Sequence, residues 1–321
     1  SFTVTFETSN QAGSYSKQVI FDIRDYSDWQ FSSIITFPGY TGSSQISDFP
    51  VYFELNNSIT GFNYEQFASP YGYDLRFVMA DGNEEIEYET VHWNPAGISS
   101  FWLNLPRLDN NTSIKALWGN QNALSQPEYS KDGRIWNGYH GVWHMDGTAQ
   151  DLIKESKSSF HGTPFNFGTI REAGVIGTAL SFDGVNDFVD LPIDSHPPAD
   201  ARKLSISFWS YGGDKHLAMN SILESGSALG RHLNIHLPWS NARVYWDAGV
   251  GGIDRIEKED SFYKGTWTHW VFQKDRDSGS MYIYRDGALW QSGFSKTRPF
   301  GSPVDSFRLG SARYGGSYWH G

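Results

Sequence analysis

The 321-residue chain contains no cysteine. This absence excludes a disulfide framework, thiol-based catalysis and thiolate metal sites. Charged residues are also scarce, at 19% of the chain, and they are unbalanced, with a formal net charge of −11. Nucleic acids and anionic membrane surfaces repel a protein of this charge, so we expect neither as a partner. No apolar run approaches the roughly 20 residues that span a bilayer, so we expect no membrane insertion.

Glycine and aromatic residues are abundant, with 33 Gly, 13 Trp, 17 Tyr and 22 Phe. Because no long helical period accompanies them, this composition predicts β-sandwiches joined by tight turns. The length of the chain is enough for two such domains. Bacteria export large proteins that are stable without disulfides, and this chain fits that class. We therefore expect a secreted or cell-surface location.

The segment from Arg231 to Gly249, RHLNIHLPWSNARVYWDAG, has the most informative pattern. It begins as a strict alternation, which predicts a β-strand with Leu233 and Ile235 on one face and polar side chains on the other. Pro238 ends this strand, and a turn leads into a returning strand over residues 243–247. We predict that this hairpin lines a polar groove for a glycan with the following residues: Arg231, His232, Asn234, His236, Trp239, Arg243, Tyr245 and Asp247.

Strand-like segments recur along the whole chain at the spacing of antiparallel sandwiches, separated by Gly, Asn and Pro turn signals. Residues 119–138 interrupt this pattern, because they are polar and poor in aliphatic side chains. We predict that they form a linker or an extended crossover. The chain is therefore expected to be all-β, with two antiparallel β-sandwich domains over residues 1–138 and 139–321.

Several strings in the second half follow the order of a known family: GVWHMDG (141–147), ALSFDGVNDFVDLP (179–192), LSISFWS (204–210), GTWTHWVFQKD (265–275) and MYIYRDGALW (281–290). By these strings, residues 139–321 resemble a bacterial laminin-G-like domain of the concanavalin A-like lectin/glucanase superfamily. The resemblance implies a jelly roll with one concave sheet. The family pattern normally ends with a further strand after an aromatic-glycine string. Because this chain stops at Gly321, we expect that strand to be missing or replaced.

The first half carries a second set of strings: DFPVYFEL, YDLRFVMADG, EIEYETVHWN, FWLNLPRL and IKALWGN. By these, residues from about 25 to 138 resemble an uncharacterised β-domain that often precedes laminin-G-like domains in bacterial surface proteins. This resemblance implies an association with surface and adhesive proteins and no further function.

Aromatic residues of the second half divide into two groups. One group is predicted to stack on sugar rings, because loop aromatics are less easily explained as core than strand aromatics: Trp239, Trp246, Trp290, Tyr314, Tyr318 and Trp319. Other tryptophans lie inside the family's core strings and are predicted to be structural: Trp143, Trp209, Trp267 and Trp270.

A calcium ion is implied by the same resemblance, because laminin-G-like domains often hold one among loop oxygens. Asp183 and Asp187 are the candidate ligands, since they place two carboxylates around the turn at Gly184. Hard oxygen ligands of this kind suit Ca²⁺, which would have a structural role here.

Three functions remain open from the sequence. We expect non-catalytic binding of a polysaccharide or cell-surface glycan by an exported bacterial protein, as an adhesin module or the targeting module of a larger multidomain protein. The main alternative is a polysaccharide lyase or glycoside hydrolase that uses the concave face of the C-terminal jelly roll. Its catalytic residues would come from the same hairpin: His236, Tyr245, Arg243 and Asn234. A structural or protein-binding stalk is the third possibility.

Overall fold

The computed structural model confirms the prediction of an all-β chain, because its sheets are antiparallel and its described residues form no α-helix. The structure describes the backbone of residues 2–10 and 13–21. It further describes residues 25–82, 84–145, 153–157, 159–168, 171–213, 219–260, 264–301 and 303–321. Within these residues, no helix has the length and apolar character needed to cross a membrane. The chain divides into two compact units, Ser1–Ile135 and Trp136–Gly321.

The described residues of the first unit form nine strands: β1 (Phe2–Asn10), β2 (Gly13–Phe21), β3 (Phe31–Thr36), β4 (Ile46–Leu55), β5 (Arg76–Met79), β6 (Glu85–Ile86), β7 (Tyr88–His92), β8 (Ser99–Leu108) and β9 (Ser113–Trp118). Strands β1 and β2 form a hairpin. The others form a four-stranded sheet in the order β3-β9-β5-β6 and a three-stranded sheet in the order β4-β8-β7. Alternation along β8 buries Phe101, Leu103 and Leu105 in the core of this unit. This is the period-2 pattern of a strand with one buried face.

Residues 119–138, predicted as a linker or crossover, include two short 3₁₀ helices, Glu128–Ser130 and Arg134–Trp136. Tyr129 lies in the core of the first unit, where its ring contacts that of Tyr88 at 5.4 Å. Its hydroxyl donates a hydrogen bond to the Glu85 carboxylate at 2.5 Å. Part of the segment is therefore packed against the core and is not a linker. The sequence did not indicate this, because the neighbours of Tyr129 are polar.

The second unit contains thirteen strands among its described residues: β10 (Thr163–Phe165), β11 (Arg171–Ala173), β12 (Thr178–Leu180), β13 (Phe188–Asp190), β14 (Lys203–Tyr211), β15 (Leu223–Ser227), β16 (Gly230–His236), β17 (Arg243–Ala248), β18 (Asp254–Glu259), β19 (Trp267–Asp275), β20 (Ser280–Arg285), β21 (Ala288–Gly293) and β22 (Ser306–Leu309). A short 3₁₀ helix spans Ile193–Ser195. Seven strands form one sheet in the order β10-β13-β22-β15-β16-β17-β18. A four-stranded sheet has the order β14-β19-β20-β21, and β11 pairs with β12.

One hydrophobic core joins the two large sheets of the second unit. Ile235 and Trp246 from the seven-stranded sheet are fully buried with Phe272 and Ile283 from the four-stranded sheet. The inward faces of both sheets are therefore apolar, and a ligand can reach only the outward faces.

The chain end also pairs with this unit. The Phe182 amide donates to the Gly321 carbonyl at 2.9 Å, and the Gly321 amide donates to the Phe182 carbonyl at 3.1 Å. The Gly213 amide donates to the His320 carbonyl at 3.0 Å. His320 and Gly321 therefore lie beside Phe182 and the end of β14.

Candidate functional site

A row of polar residues crosses the seven-stranded sheet on the face away from the core. Cross-strand pairing places one residue from each of six adjacent strands in register, from β13 to β18. In sheet order the row contains Asp190, Arg308, Glu224, Asn234, Asp247 and Arg255. Directly opposed residues of antiparallel strands have neighbouring side chains, so this register brings distant parts of the sequence together.

The centre of this row is a buried network of ion pairs, in which two carboxylates face three guanidinium groups. Arg231 lies between the carboxylates, 3.2 Å from Glu224 and 3.4 Å from Asp247. Arg255 holds Asp247 through two hydrogen bonds of 2.6 and 2.7 Å, and this contact raises the pKa of Arg255. Arg313 donates to Glu224 at 3.1 Å. The carboxylates are buried, while the outer parts of the arginines reach solvent.

A second layer of hydrogen bonds surrounds Ser221. Its hydroxyl donates to the Asn234 side-chain oxygen at 2.8 Å. The Nδ1 atom of His236 lies 2.6 Å from the Asn220 carbonyl oxygen. Because a carbonyl only accepts, we assign the proton of this imidazole to Nδ1. We refer to the following eight residues as the polar cluster: Ser221, Glu224, Arg231, Asn234, His236, Asp247, Arg255 and Arg313.

His236 is uncharged at neutral pH. Its burial lowers its pKa to about 4, although the hydrogen bond to Asn220 acts in the opposite direction. Neutral imidazole with a proton on Nδ1 leaves Nε2 as an acceptor. His236 therefore contributes hydrogen-bonding capacity to the polar cluster rather than positive charge.

Several buried atoms of this region have no hydrogen-bond partner among the described residues. Three of them are donors: Asn234 Nδ2, Arg231 Nε and Arg313 Nε. The side-chain oxygen of Asn220 is a buried acceptor that also lacks a partner among the described residues. Buried polar groups are normally satisfied by protein, ordered water or a ligand. The polar cluster therefore has hydrogen-bonding capacity left for water or for an oxygen-rich ligand.

Two aromatic rings adjoin the polar cluster at the hairpin between β16 and β17. The Trp239 ring lies on His236, with the centroids 4.0 Å apart. The Tyr245 ring meets His236 edge-on at 5.9 Å and lies 4.5 Å below the Arg255 guanidinium. The Tyr245 hydroxyl accepts a hydrogen bond from Asn241 at 2.7 Å. Trp239 is the less buried of the two rings, so it is the one that can stack on a ligand.

The alternation predicted for β16 is wrong at His232. The pairing of β15 with β16 contains a β-bulge: Ser225 faces Leu233 and Gly226 faces Arg231, so His232 has no partner residue on β15. The extra residue turns Arg231 toward the polar cluster, where strict alternation would have placed His232. His232 instead contacts Ser227 and the ring of His196. Burial lowers its pKa as well.

Other predicted site residues lie elsewhere. Arg243 is on the same strand as Tyr245 but pairs with Glu257 at 3.3 Å. Tyr314 is exposed beside the polar cluster, with the Arg313 guanidinium 4.8 Å from its ring. Trp290 packs against Trp270 and the ammonium group of Lys258. The prediction of stacking is wrong for Trp246 and Trp319, which lie in the core and are 0% and 3% exposed.

The tryptophans predicted to be structural also divide. Trp270 is fully buried in the core. Trp209 is 42% exposed, since it falls on the outer side of β14, where its ring contacts His269 at 5.1 Å. Alternation on β14 and β19 explains the difference, because Trp209 pairs with His269 while Phe208 and Trp270 pair on the inward face.

The aspartates predicted to bind calcium are joined by a tight turn. Asp183 Oδ1 accepts hydrogen bonds from the amides of Val185 at 2.7 Å and Asn186 at 3.2 Å. Asp187 Oδ2 accepts from the Asp183 amide at 2.9 Å, while its buried Oδ1 has no hydrogen-bond partner in the described part of the chain. Among the residues that the structure describes, no group of three His, Asp or Glu side chains is arranged to hold a metal.

Ser221, Glu224, Arg255 and Arg313 are members of the polar cluster that sequence reasoning missed. The strand register brings Glu224 and Arg255 into the polar cluster, because it places them opposite Asn234 and Asp247. The alternation of β18 carries a weak signal for Arg255, since it is polar between the buried Asp254 and Ile256.

Comparison with known proteins identifies the C-terminal part of the chain. A family model, Laminin_G_3, described as the concanavalin A-like lectin/glucanases superfamily, matches residues 183–321. No curated protein matches the chain significantly. The predicted resemblance is thereby confirmed for these residues, while that of the first half stays a prediction.

Solved structures show only a distant likeness. Domain 4 of AbnA, an extracellular GH43 arabinanase from Geobacillus stearothermophilus in complex with arabinotriose, is 19% identical at a TM-score of 0.38, with 52% of this chain and 81% of that chain covered. The Ruminococcus gnavus IT-sialidase CBM40 with bound α2,6-sialyllactose is 15% identical at a TM-score of 0.29. This match covers 37% of this chain and 70% of that chain. The receptor-binding domain of botulinum neurotoxin D is 16% identical at 0.36. That match covers 53% of this chain and 49% of the neurotoxin domain.

Proposed function

We propose that this chain, whose residues 183–321 form a domain of the concanavalin A-like lectin/glucanases superfamily, binds a glycan without cleaving it. The observation that carries the proposal is the polar cluster, with Trp239 beside it and with buried hydrogen-bonding atoms that lack partners. The fold alone does not fix a function, and these side chains are what favours a glycan.

The chemistry of the polar cluster suits sugar hydroxyls, which both donate and accept. Arg231, Arg313 and Asn234 supply donors, and the neutral His236 supplies an acceptor. The ion pairs and the strand register hold these groups in place, which reduces the entropy cost of binding. The Trp239 ring offers a flat apolar surface for the C–H face of a sugar.

The same geometry favours binding over chemistry. Glu224 and Asp247 each pair with two arginines, so both carboxylates are engaged within the polar cluster instead of facing a substrate. His236, with a pKa of about 4, is a weak general base at neutral pH. Lyase chemistry is the second candidate, because His236 and Tyr245 meet beside Arg255.

The biological setting is a further part of the proposal. We infer that the protein is exported by a bacterium and acts as an adhesin or as the targeting module of a larger surface protein. A single site of this kind binds weakly, and attachment of many copies to a surface raises the overall avidity.

A calcium ion that braces the loop of residues 183–187 is also proposed. The unpartnered Oδ1 of the buried Asp187 fits a carboxylate that binds a cation. Backbone carbonyls, which Ca²⁺ accepts readily, would complete the ligand set. Addition of Ca²⁺ after chelation is expected to raise the Tm of the protein but not that of Asp187→Asn. An equal rise in Asp187→Asn would remove the assignment, and Asp277→Asn is the matched control.

The test of glycan binding is affinity electrophoresis through gels that contain algal, plant or animal polysaccharides. We expect one of these polysaccharides to retard the protein, Trp239→Ala to lose most of the retardation and Trp209→Ala, at an exposed tryptophan of the other sheet, to keep it. Reducing-end and unsaturated-product assays on the same polysaccharide measure cleavage. Product that disappears in His236→Ala or Tyr245→Phe would make the protein an enzyme and overturn the proposal.

A further inference from the structure

The first unit contains a cavity with aromatic walls that is independent of the polar cluster. Its volume is about 250 Å³. Tyr88 and Phe101, both buried, belong to the core of this unit, and Trp93 is half-buried beside them. The lining residues are Tyr71, Gly72, Tyr73, Tyr88, Thr90, Trp93, Phe101 and Gln126.

The rim of this cavity is a loop held by a buried carboxylate. Asp74 is fully buried and accepts hydrogen bonds from the backbone amides of Ala68 at 3.0 Å, Ser69 at 3.0 Å and Gly119 at 2.7 Å. Charge-assisted bonds to backbone amides are among the stronger ones in proteins. The loop of residues 68–74 therefore has a fixed conformation before any ligand arrives.

Trp93 fixes the middle of the same loop. Its indole N–H donates to the Pro70 carbonyl at 2.8 Å. Gly72 has a φ of +71°, and a Cβ at this position would lie 2.6 Å from the Trp93 ring. Glycine is required here by both the left-handed backbone and the close approach of the ring.

The loop presents an aromatic pair at the mouth of the cavity. Tyr71 is 64% exposed, and its ring lies 5.4 Å from that of Tyr73. Core packing does not explain an aromatic residue exposed to this extent. Tyrosines on a rigid loop provide large contact areas at a low entropy cost, as they do in binding loops of other proteins.

The lining selects a class of ligand. It contains no charged side chain, so an ionic ligand would lose its hydration without gaining a counter-charge. The aromatic faces suit C–H groups, and Thr90 and Gln126 add side chains to the lining that can hydrogen-bond to hydroxyls. The volume lies just below the range of about 300–1,000 Å³ for drug-sized ligands, which limits the buried part to one ring.

From these observations we propose that the cavity of the first unit is a binding site for one neutral sugar ring, such as the end or a branch of a glycan. Its ring faces pack between Tyr71 and Trp93, and its hydroxyls reach Thr90 and Gln126. This site does not depend on the polar cluster, so either assignment can fail alone.

The test uses the 321-residue chain with Trp239→Ala, in which the polar cluster has lost its stacking residue. Neutral methyl glycosides of glucose, galactose, xylose and N-acetylglucosamine are titrated while NMR follows the Trp93 indole N–H and the Gln126 side-chain amide. At least one glycoside is expected to shift both signals. Adding Tyr71→Ala or Gln126→Ala is expected to weaken that binding at least tenfold, while Tyr139→Ala, at another exposed tyrosine, leaves it unchanged.

Four results would overturn the proposal. They are no shift with any glycoside, full affinity in Tyr71→Ala, equal affinity for methyl glucuronoside, or shifts produced only by N-acetyl-prolinamide or N-acetyl-leucinamide. The last result would assign the cavity to a peptide instead. Because Tyr71 is exposed, its variant is expected to fold, and the unchanged backbone spectrum of β8 verifies this.

Discussion

Acidification should destabilise the second unit through two buried histidines. His196 and His236 are 6% and 3% exposed, and burial lowers the pKa of each to about 4. In the unfolded chain the value is about 6.5. A lowered pKa in the folded state means that the unfolded state binds more protons between pH 4 and pH 6.5. The contribution of each neutral histidine to the free energy of unfolding is therefore complete above this pH window. It is lost as the pH falls through the window.

The magnitude follows from the difference of about 2.5 pKa units. Full protonation of one such histidine costs about 3 kcal/mol, and a drop from about pH 7 to about pH 5 removes about 2 kcal/mol for each. The two residues together cost about 4 kcal/mol over that step, which is a large part of the usual stability of a domain. His232, whose pKa burial also lowers, acts in the same direction.

The assay is urea unfolding at the two pH values, followed through amide signals of the second unit. Replacing His196 by Phe keeps a ring beside Phe307 and removes the titrating group, so the pH-dependent loss should decrease by about 2 kcal/mol. His92→Gln, at an exposed residue of the first unit, is the control. An unchanged pH-dependent loss in His196→Phe would refute the reasoning, as would NMR titration of His196 in the folded protein near pH 6.5.

Three further predictions concern packing and binding. Trp239→Ala should weaken glycan binding by about 1 kcal/mol or roughly fivefold, because a stacking ring is lost, and calorimetric titration with the retarding polysaccharide measures this. Lys274→Met should lower the free energy of unfolding by about 3–5 kcal/mol, because the fully buried Lys274 ammonium lies 2.9 Å from the Asp254 carboxylate. Urea unfolding measures this, and a loss below about 1 kcal/mol would argue against the ion pair. Gly72→Ala should cost about 1–2 kcal/mol for its left-handed backbone and move the Trp93 indole signal, whereas Gly39→Ala, which meets no neighbouring atom, should do neither.

The sequence was sufficient for the fold class and the β16–β17 hairpin, because period-2 alternation and turn residues are local signals. It failed at His232, since a β-bulge depends on the partner strand and leaves no local mark. It also missed Glu224 and Arg313, which join the polar cluster from strands and loops far along the chain. Trp319 looked like a loop aromatic because the sequence does not show that its loop folds over the core.

The central claim is that a glycan binds at the polar cluster, and NMR of the guanidinium and indole N–H groups tests it most directly. Titration with an oligosaccharide from the retarding polysaccharide should shift the Nε–H signals of Arg231, Arg255 and Arg313 and the indole signal of Trp239. The indole signal of Trp209 should stay in place. Shifts confined to Trp209 and its neighbours on β14 and β19, with the arginine signals unmoved, would contradict the account.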